Sequence, residues 1–152
     1  MKNFNMEYHD MSIQEWIAMI QQCKDAFEEC LSHFNKDCIK WYRSGEFHDS
    51  ILKNVQTVIN EKSELSILIE LEKNTDSGPK QIELIYVGVT NFSIKKGSDA
   101  YYSKWREECA YDEFYRSETN PTQVVHEFFT FKDTYFLIEF KHLYLKKKKI
   151  LS

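Results

Sequence analysis

The hydrophobic period of this chain changes once, and that change limits the folds open to it. From Ser12 to about Gly45, large apolar residues recur at alternating three- and four-residue steps: Ile13, Trp16, Ile20, Cys23, Phe27, Cys30 and Phe34. Ile17 and Leu31 widen this stripe, and Gln, Lys, Asp and Glu occupy the opposite side. That spacing predicts an amphipathic helix. "SIQE" at 12–15 is a capping box that opens it. Around "NKD" (35–37) the stripe falters and then restarts with Cys38, Ile39, Trp41 and Tyr42. We therefore expect a helix to about Phe34, a bend, and a short helix stopped by Gly45 in the left-handed conformation.

From Ile51 onward the period is two. "ILKNVQTVINE", "ELSILIELEK", "QIELIYVGVTNFSIK", "YDEFYR", "VVHEFFTF" and "YFLIEFKHLYL" are successive strand-like runs. Turn-forming "NTDSGP" and "KDT" separate neighbours, and Gly88 is placed for a bulge. Helices followed by a meander of strands imply an α+β fold. N-terminal helices are expected on one face of a five- to six-stranded, mainly antiparallel sheet. A length of 152 residues fits a single domain, with 1–11 a loosely ordered lead-in, 12–45 helical and 50–146 the sheet.

Composition narrows the function classes. No apolar run is long enough to span a bilayer, and the first residues do not form a signal peptide, so a cytoplasmic location is expected and no membrane partner. Cys23, Cys30, Cys38 and Cys109 should then be reduced thiols buried in the fold, and the absence of a C-x-x-C pair argues against zinc. The formal charge is −4, and removing the four positive charges of Lys146 to Lys149 would leave −8. An acidic body repels phosphate backbones, which disfavours nucleic acid and favours a basic protein partner.

The candidate functional residues are His48, Asp49, Asp112, Glu113 and His126. His48 and Asp49 lie in "GEFHDS" (45–50), where the simplest reading is architectural: Gly45 releases the helix, Phe47 enters the core, and Asp49 or Ser50 hydrogen-bonds backbone amides. In "VVHEFF", His126 and Glu127 point to opposite faces, so His126 shares its face with Val124 and Phe128 as a packing residue. The competing reading joins His48 and His126 across the sheet, with a carboxylate from "YDE" (111–113), as a His/His/Asp site for a divalent metal. No nucleophile elbow, P-loop, dinucleotide fingerprint or H-E-x-x-H motif is present, and no cofactor is expected.

The order "EFHDSIL", a strand pair, "IELIYVGVTNFSI", "YDEF" and a closing "HEFFTF…DTYFLIEFKHL" resembles a family of small bacterial proteins of unknown function. A sister group with the same FHD beginning comprises immunity proteins, which neutralise toxins delivered between bacterial cells. The resemblance covers roughly 41–146 and rests on His48, Asp49, Gly88, Val89, Asp112, Glu113 and His126. It departs at "KDTY", where the family has a Gly-containing turn. The family carries no established activity or catalytic residues; together with the acidic body and the aromatic content, the resemblance leads us to expect a non-enzymatic interaction domain, an immunity protein for a basic toxin domain. The alternative is a metal-dependent enzyme or small-molecule-binding protein that uses His48, Asp49 and His126.

Overall fold

A computed structural model describes residues 11–96, 108–132 and 134–148. Nearly all of the lead-in, the middle of the expected loop before "YDEFYR", part of the "KDT" turn and the end of the lysine tail lie outside those residues.

Helix α1 spans Ile13–Glu28, and the Ser12 hydroxyl accepts from the Glu15 amide at 3.1 Å, one half of the expected capping box. The helix stops six residues before Phe34. Leu31–His33 form a short 3₁₀ turn, and Cys30 and Phe34 reach the core from this turn and its flanks. The 3.6-residue spacing persists in the sequence because a 3₁₀ turn also places residues three apart on one side. Phe27, 1% exposed, stacks on Phe34 and packs on Tyr42 and Phe114. Met19 and Cys23 are also buried, while Trp16 and Ile20 are half-buried beside Phe129.

Helix α2 spans Lys36–Arg43. Its N-cap, Asn35, explains the faltering stripe. The Asn35 side-chain oxygen accepts from the Cys38 amide at 3.0 Å and from the Leu145 amide at 3.1 Å. Its amide nitrogen donates to the Leu145 carbonyl at 3.0 Å. One side chain thus caps the helix and ties it to the last strand.

The strands are β1 Ile51–Ile59, β2 Leu65–Thr75, β3 Gly78–Val89, β4 Asn91–Lys96, β5 Cys109–Arg116, β6 Val124–Thr130, β7 Thr134–Phe140 and β8 His142–Lys148. The fold is α+β, as expected, but the single five- to six-stranded sheet is corrected. There are two antiparallel four-stranded sheets, ordered β1-β2-β3-β8 and β4-β7-β6-β5. The six sequence runs become eight strands because two of them bend. "QIELIYVGVTNFSIK" leaves the first sheet after Val89 and enters the second at Asn91. "YFLIEFKHLYL" makes the reverse passage at Lys141. The two bends are paired: the Thr90 amide donates to Glu139 and the Lys141 amide to Val87, at 2.9 and 3.0 Å. Backbone pairing therefore continues around the corner.

Gly88 sits at this corner with φ +67°, and the β2–β3 register slips between Tyr86 and Val89, the expected bulge. A Cβ at Gly88 would lie 2.9 Å from the Lys141 Cβ. On the far side the sheets meet again, where the Cys109 amide donates to Ser50 at 2.7 Å and the Asp49 amide to Cys109 at 2.8 Å. Between the sheets, Ile67, Ile69 and Leu71 from β2 and Ile82, Leu84 and Tyr86 from β3 face Phe128, Phe136 and Ile138. Helix α1 packs on β5 and α2 on β8.

The corner makes a quantitative expectation. Gly45→Ala meets open space at φ +71°, so it should cost only the left-handed backbone strain, about 1–2 kcal/mol. Gly88→Ala adds the contact with Lys141 and should cost more, about 2–4 kcal/mol. Urea denaturation of both variants checks the order; equal losses would mean that the corner yields without strain.

Candidate functional site

The "GEFHDS" turn is the hinge from α2 into β1. Gly45 has φ +71° and Phe47 is 3% exposed, packed edge-on against Trp41, His126 and Phe128, as the sequence predicts. The roles expected of Asp49 and Ser50 are corrected. The Ser50 hydroxyl donates to the Glu46 carbonyl at 2.6 Å, so it satisfies an acceptor rather than an amide. The Asp49 carboxylate is exposed and lies 3.0 Å from the His48 Nδ1. Its backbone is the unusual feature, with φ +66°, a region that Asp and Asn tolerate better than other non-glycine residues. Lys73 donates to the His48 carbonyl at 2.9 Å, and Lys80 holds the Glu46 carboxylate at 3.0 Å. Neither lysine is marked by any motif.

His126 lies on β6 at 0% exposure, on the same face as Val124 and Phe128. Phe114 stacks on its ring at 3.8 Å, and Phe47, Tyr86 and Phe128 enclose it. Both ring nitrogens are engaged. Nδ1 is 2.7 Å from the Tyr86 hydroxyl and Nε2 is 2.8 Å from the Asp112 carboxylate. With the proton on Nε2, the ring donates to Asp112 and accepts from Tyr86, so every polar atom of the imidazole is satisfied. Burial pushes the His126 pKa down from 6.5 and the Asp112 pKa up from 3.8, while their mutual hydrogen bond opposes both shifts.

Asp112 and Glu113 are sequence neighbours on β5 and point apart. Asp112 reaches His126, whereas Glu113 is wholly buried and accepts from the Cys23 thiol at 3.7 Å. Burial and the nearby Glu113 raise the Cys23 pKa to about 12, which leaves the thiol protonated and a poor nucleophile. All four cysteines are buried and free of disulfides.

Asp112 lines a cleft of about 450 Å³ between α1, the end of α2, the hinge and β5. Phe27, Tyr42, Phe47 and Tyr111 provide aromatic wall, while Lys24, Arg43 and His48 are the basic groups around it. Arg43 is held by Glu28 through two hydrogen bonds, at 2.6 and 2.8 Å. The structure thus brings His48 and Asp112 to one cleft, with His126 directly behind Asp112. Asp49 does not line the cleft but pairs with His48 beside it, and Glu113 lies in the core. Among the described residues, no three His, Cys, Asp or Glu side chains are grouped so as to hold a metal ion. Tyr86 was the functional residue that sequence reasoning passed over. Its signal was a hydroxyl-bearing ring in the inward row Ile82, Leu84, Tyr86, which requires a buried polar partner.

No protein-family model, curated protein or solved structure matches the chain. No helix among the described residues is long and apolar enough to cross a membrane.

Two outcomes are expected. At the hinge, Asp49→Asn and Asp49→Gly should keep nearly full stability, whereas Asp49→Ala should lose about 1 kcal/mol through left-handed strain. Equal losses in the Gly and Ala variants would show that the carboxylate, not the backbone angle, is what matters. For the buried pair, the lowered His126 pKa contributes stability above pH 6.5 that is lost as pH falls through the folded value. Asp112, raised, has the opposite sense, its contribution being lost as pH rises above 3.8 toward its folded value. The stability gap between wild type and His126→Gln should therefore narrow as pH falls from about 7.5 to 5. Chemical denaturation across that range tests it, and a widening gap would reverse the assigned shift.

Proposed function

We propose that this chain is a non-enzymatic protein-interaction domain whose partner is a basic protein, and that it serves as an immunity protein. The observation that carries this reading is the outer face of α1 beside the cleft. Ile13 and Ile17, one turn apart, are 79% and 60% exposed. Glu15 and Asp25 of the helix and Glu29 at its C-cap have no ion pair among the described residues, and Lys24 is the sole basic residue of the helix. Exposed apolar anchors in an acidic field, next to an aromatic cleft, suit a partner of opposite charge. The resemblance in "FHDS" and the closing strands points the same way, though it assigns no residue to the contact.

The size of the cleft favours a second reading, a small-molecule-binding protein. Its metal-dependent form needs His48, Asp49 and His126 around one ion. His126 has both nitrogens committed to Tyr86 and Asp112, so that form would require the core to open.

Co-expression with the protein encoded beside this chain provides the test. Under the interaction reading, the neighbour's product is toxic alone, tolerated in the presence of this chain, and recovered with it as a stoichiometric complex. Ile17→Asp, at an exposed position, should leave folding intact and weaken the complex at least about tenfold. Failure to form a complex, or an Ile17→Asp variant of unchanged affinity, would count against it.

A further inference from the structure

The cleft contains a carboxylate opposed, among the described residues, only by two histidines, the buried His126 and His48 on the cleft wall. The Asp112 side chain is 10% exposed, and its one ion-pair partner among the described residues is His126, whose ring burial holds toward the neutral form. No lysine or arginine of the described residues lies within salt-bridge distance of Asp112, although Lys24 and Arg43 line the same cleft. Arg43 is taken by Glu28. A buried carboxylate without a full counter-charge is costly unless it takes up a proton or a cation reaches it from outside. The walls suit such a guest, because faces of Phe and Tyr attract cations and stabilise them further when water is excluded.

We propose that the cleft is a receptor for an alkylammonium or guanidinium group, with Asp112 as counter-ion and the rings of Tyr42, Phe47 and Tyr111 as its walls. His126 and Tyr86 are positioning residues. They fix the carboxylate through Oδ2, and the described residues offer no hydrogen bond to its other oxygen. Lys24 at the rim opposes a cation and sets an upper limit on affinity. The guest is a free amine or a lysine or arginine side chain of a partner. Only the second source rests on the interaction reading, and there the cleft would receive the partner's anchor residue.

Titration with arginine amide, followed by NMR at the Tyr111 and His48 amides, separates these possibilities. Saturable binding is expected, at least about tenfold tighter than that of neutral citrulline amide. Asp112→Asn should weaken it about tenfold or more, and Lys24→Gln should strengthen it about two- to threefold. Equal binding of the neutral analogue, or unchanged affinity in folded Asp112→Asn, overturns the proposal. Should Asp112→Asn not fold, Lys24→Gln decides alone: tighter binding supports the proposal, and unchanged or weaker binding overturns it. With the protein partner in hand, competition by arginine amide identifies a side chain as the guest. Arginine amide that binds without competing identifies a free amine, leaves the cleft inference standing and removes the cleft from the interaction reading. A partner that binds while no cation does overturns the cleft inference and leaves the interaction reading intact.

Discussion

The fold is organised around a polar chain that crosses its apolar core. Tyr86 belongs to the first sheet, and His126 and Asp112 to neighbouring strands of the second, Asp112 on β5 against α1. Burying an imidazole at 0% exposure is tolerable only if both nitrogens find partners; Tyr86 supplies one from the facing sheet and Asp112 the other from the neighbouring strand β5. The chain therefore fixes how the sheets stand relative to each other. Apolar packing between Ile69, Leu84, Phe128 and Ile138 supplies most of the driving force, but it tolerates sliding that the hydrogen bonds do not. Phe114 and Phe47 exclude water from the imidazole and strengthen the bonds it makes.

The same two-sheet arrangement shows where sequence reasoning reached its limit. The alternation in "ELSILIELEK" placed Ile67, Ile69 and Leu71 on the inner face, and all three are buried. Alternation could not reveal that the long third and last runs change sheets, because period two continues through the bend. Gly88 was visible as a break in pattern, but its partner at the corner, Lys141, is an ordinary exposed lysine. The end of α1 was hidden for a related reason: the 3₁₀ turn at Leu31–His33 preserves helical spacing after the α-helical hydrogen bonds have ended. Ile13 and Ile17 belonged to the predicted stripe yet face solvent, since the face that packs on β5 runs through Trp16, Met19 and Cys23 and leaves them to one side.

At the site, the face of His126 and a carboxylate from "YDE" were legible, and the structure brings Asp112 to that histidine. Glu113 was equally eligible by composition, but strand alternation sends it to Cys23. The hinge was legible in Gly45 and Phe47 and misread at Asp49. There the sequence suggested a side-chain cap, whereas the constraint is a left-handed backbone. Side-chain chemistry leaves a pattern in the sequence; a backbone angle at a non-glycine residue leaves almost none.

The order of groups along the polar chain differs from that of a hydrolytic histidine–carboxylate pair. In hydrolases that pair histidine with a carboxylate, the imidazole meets the reacting group and the carboxylate stands behind it. Here the order is reversed, with Asp112 lining the cleft and His126 sealed behind it. A carboxylate held by a buried neutral histidine is a fixed acceptor, and its charge can be matched from the cleft side. Cys23, the one thiol on the cleft wall among the described residues, is kept protonated by its own burial and by Glu113. A fixed acceptor among aromatic rings, with a protonated thiol beside it, supports the proposed cation site.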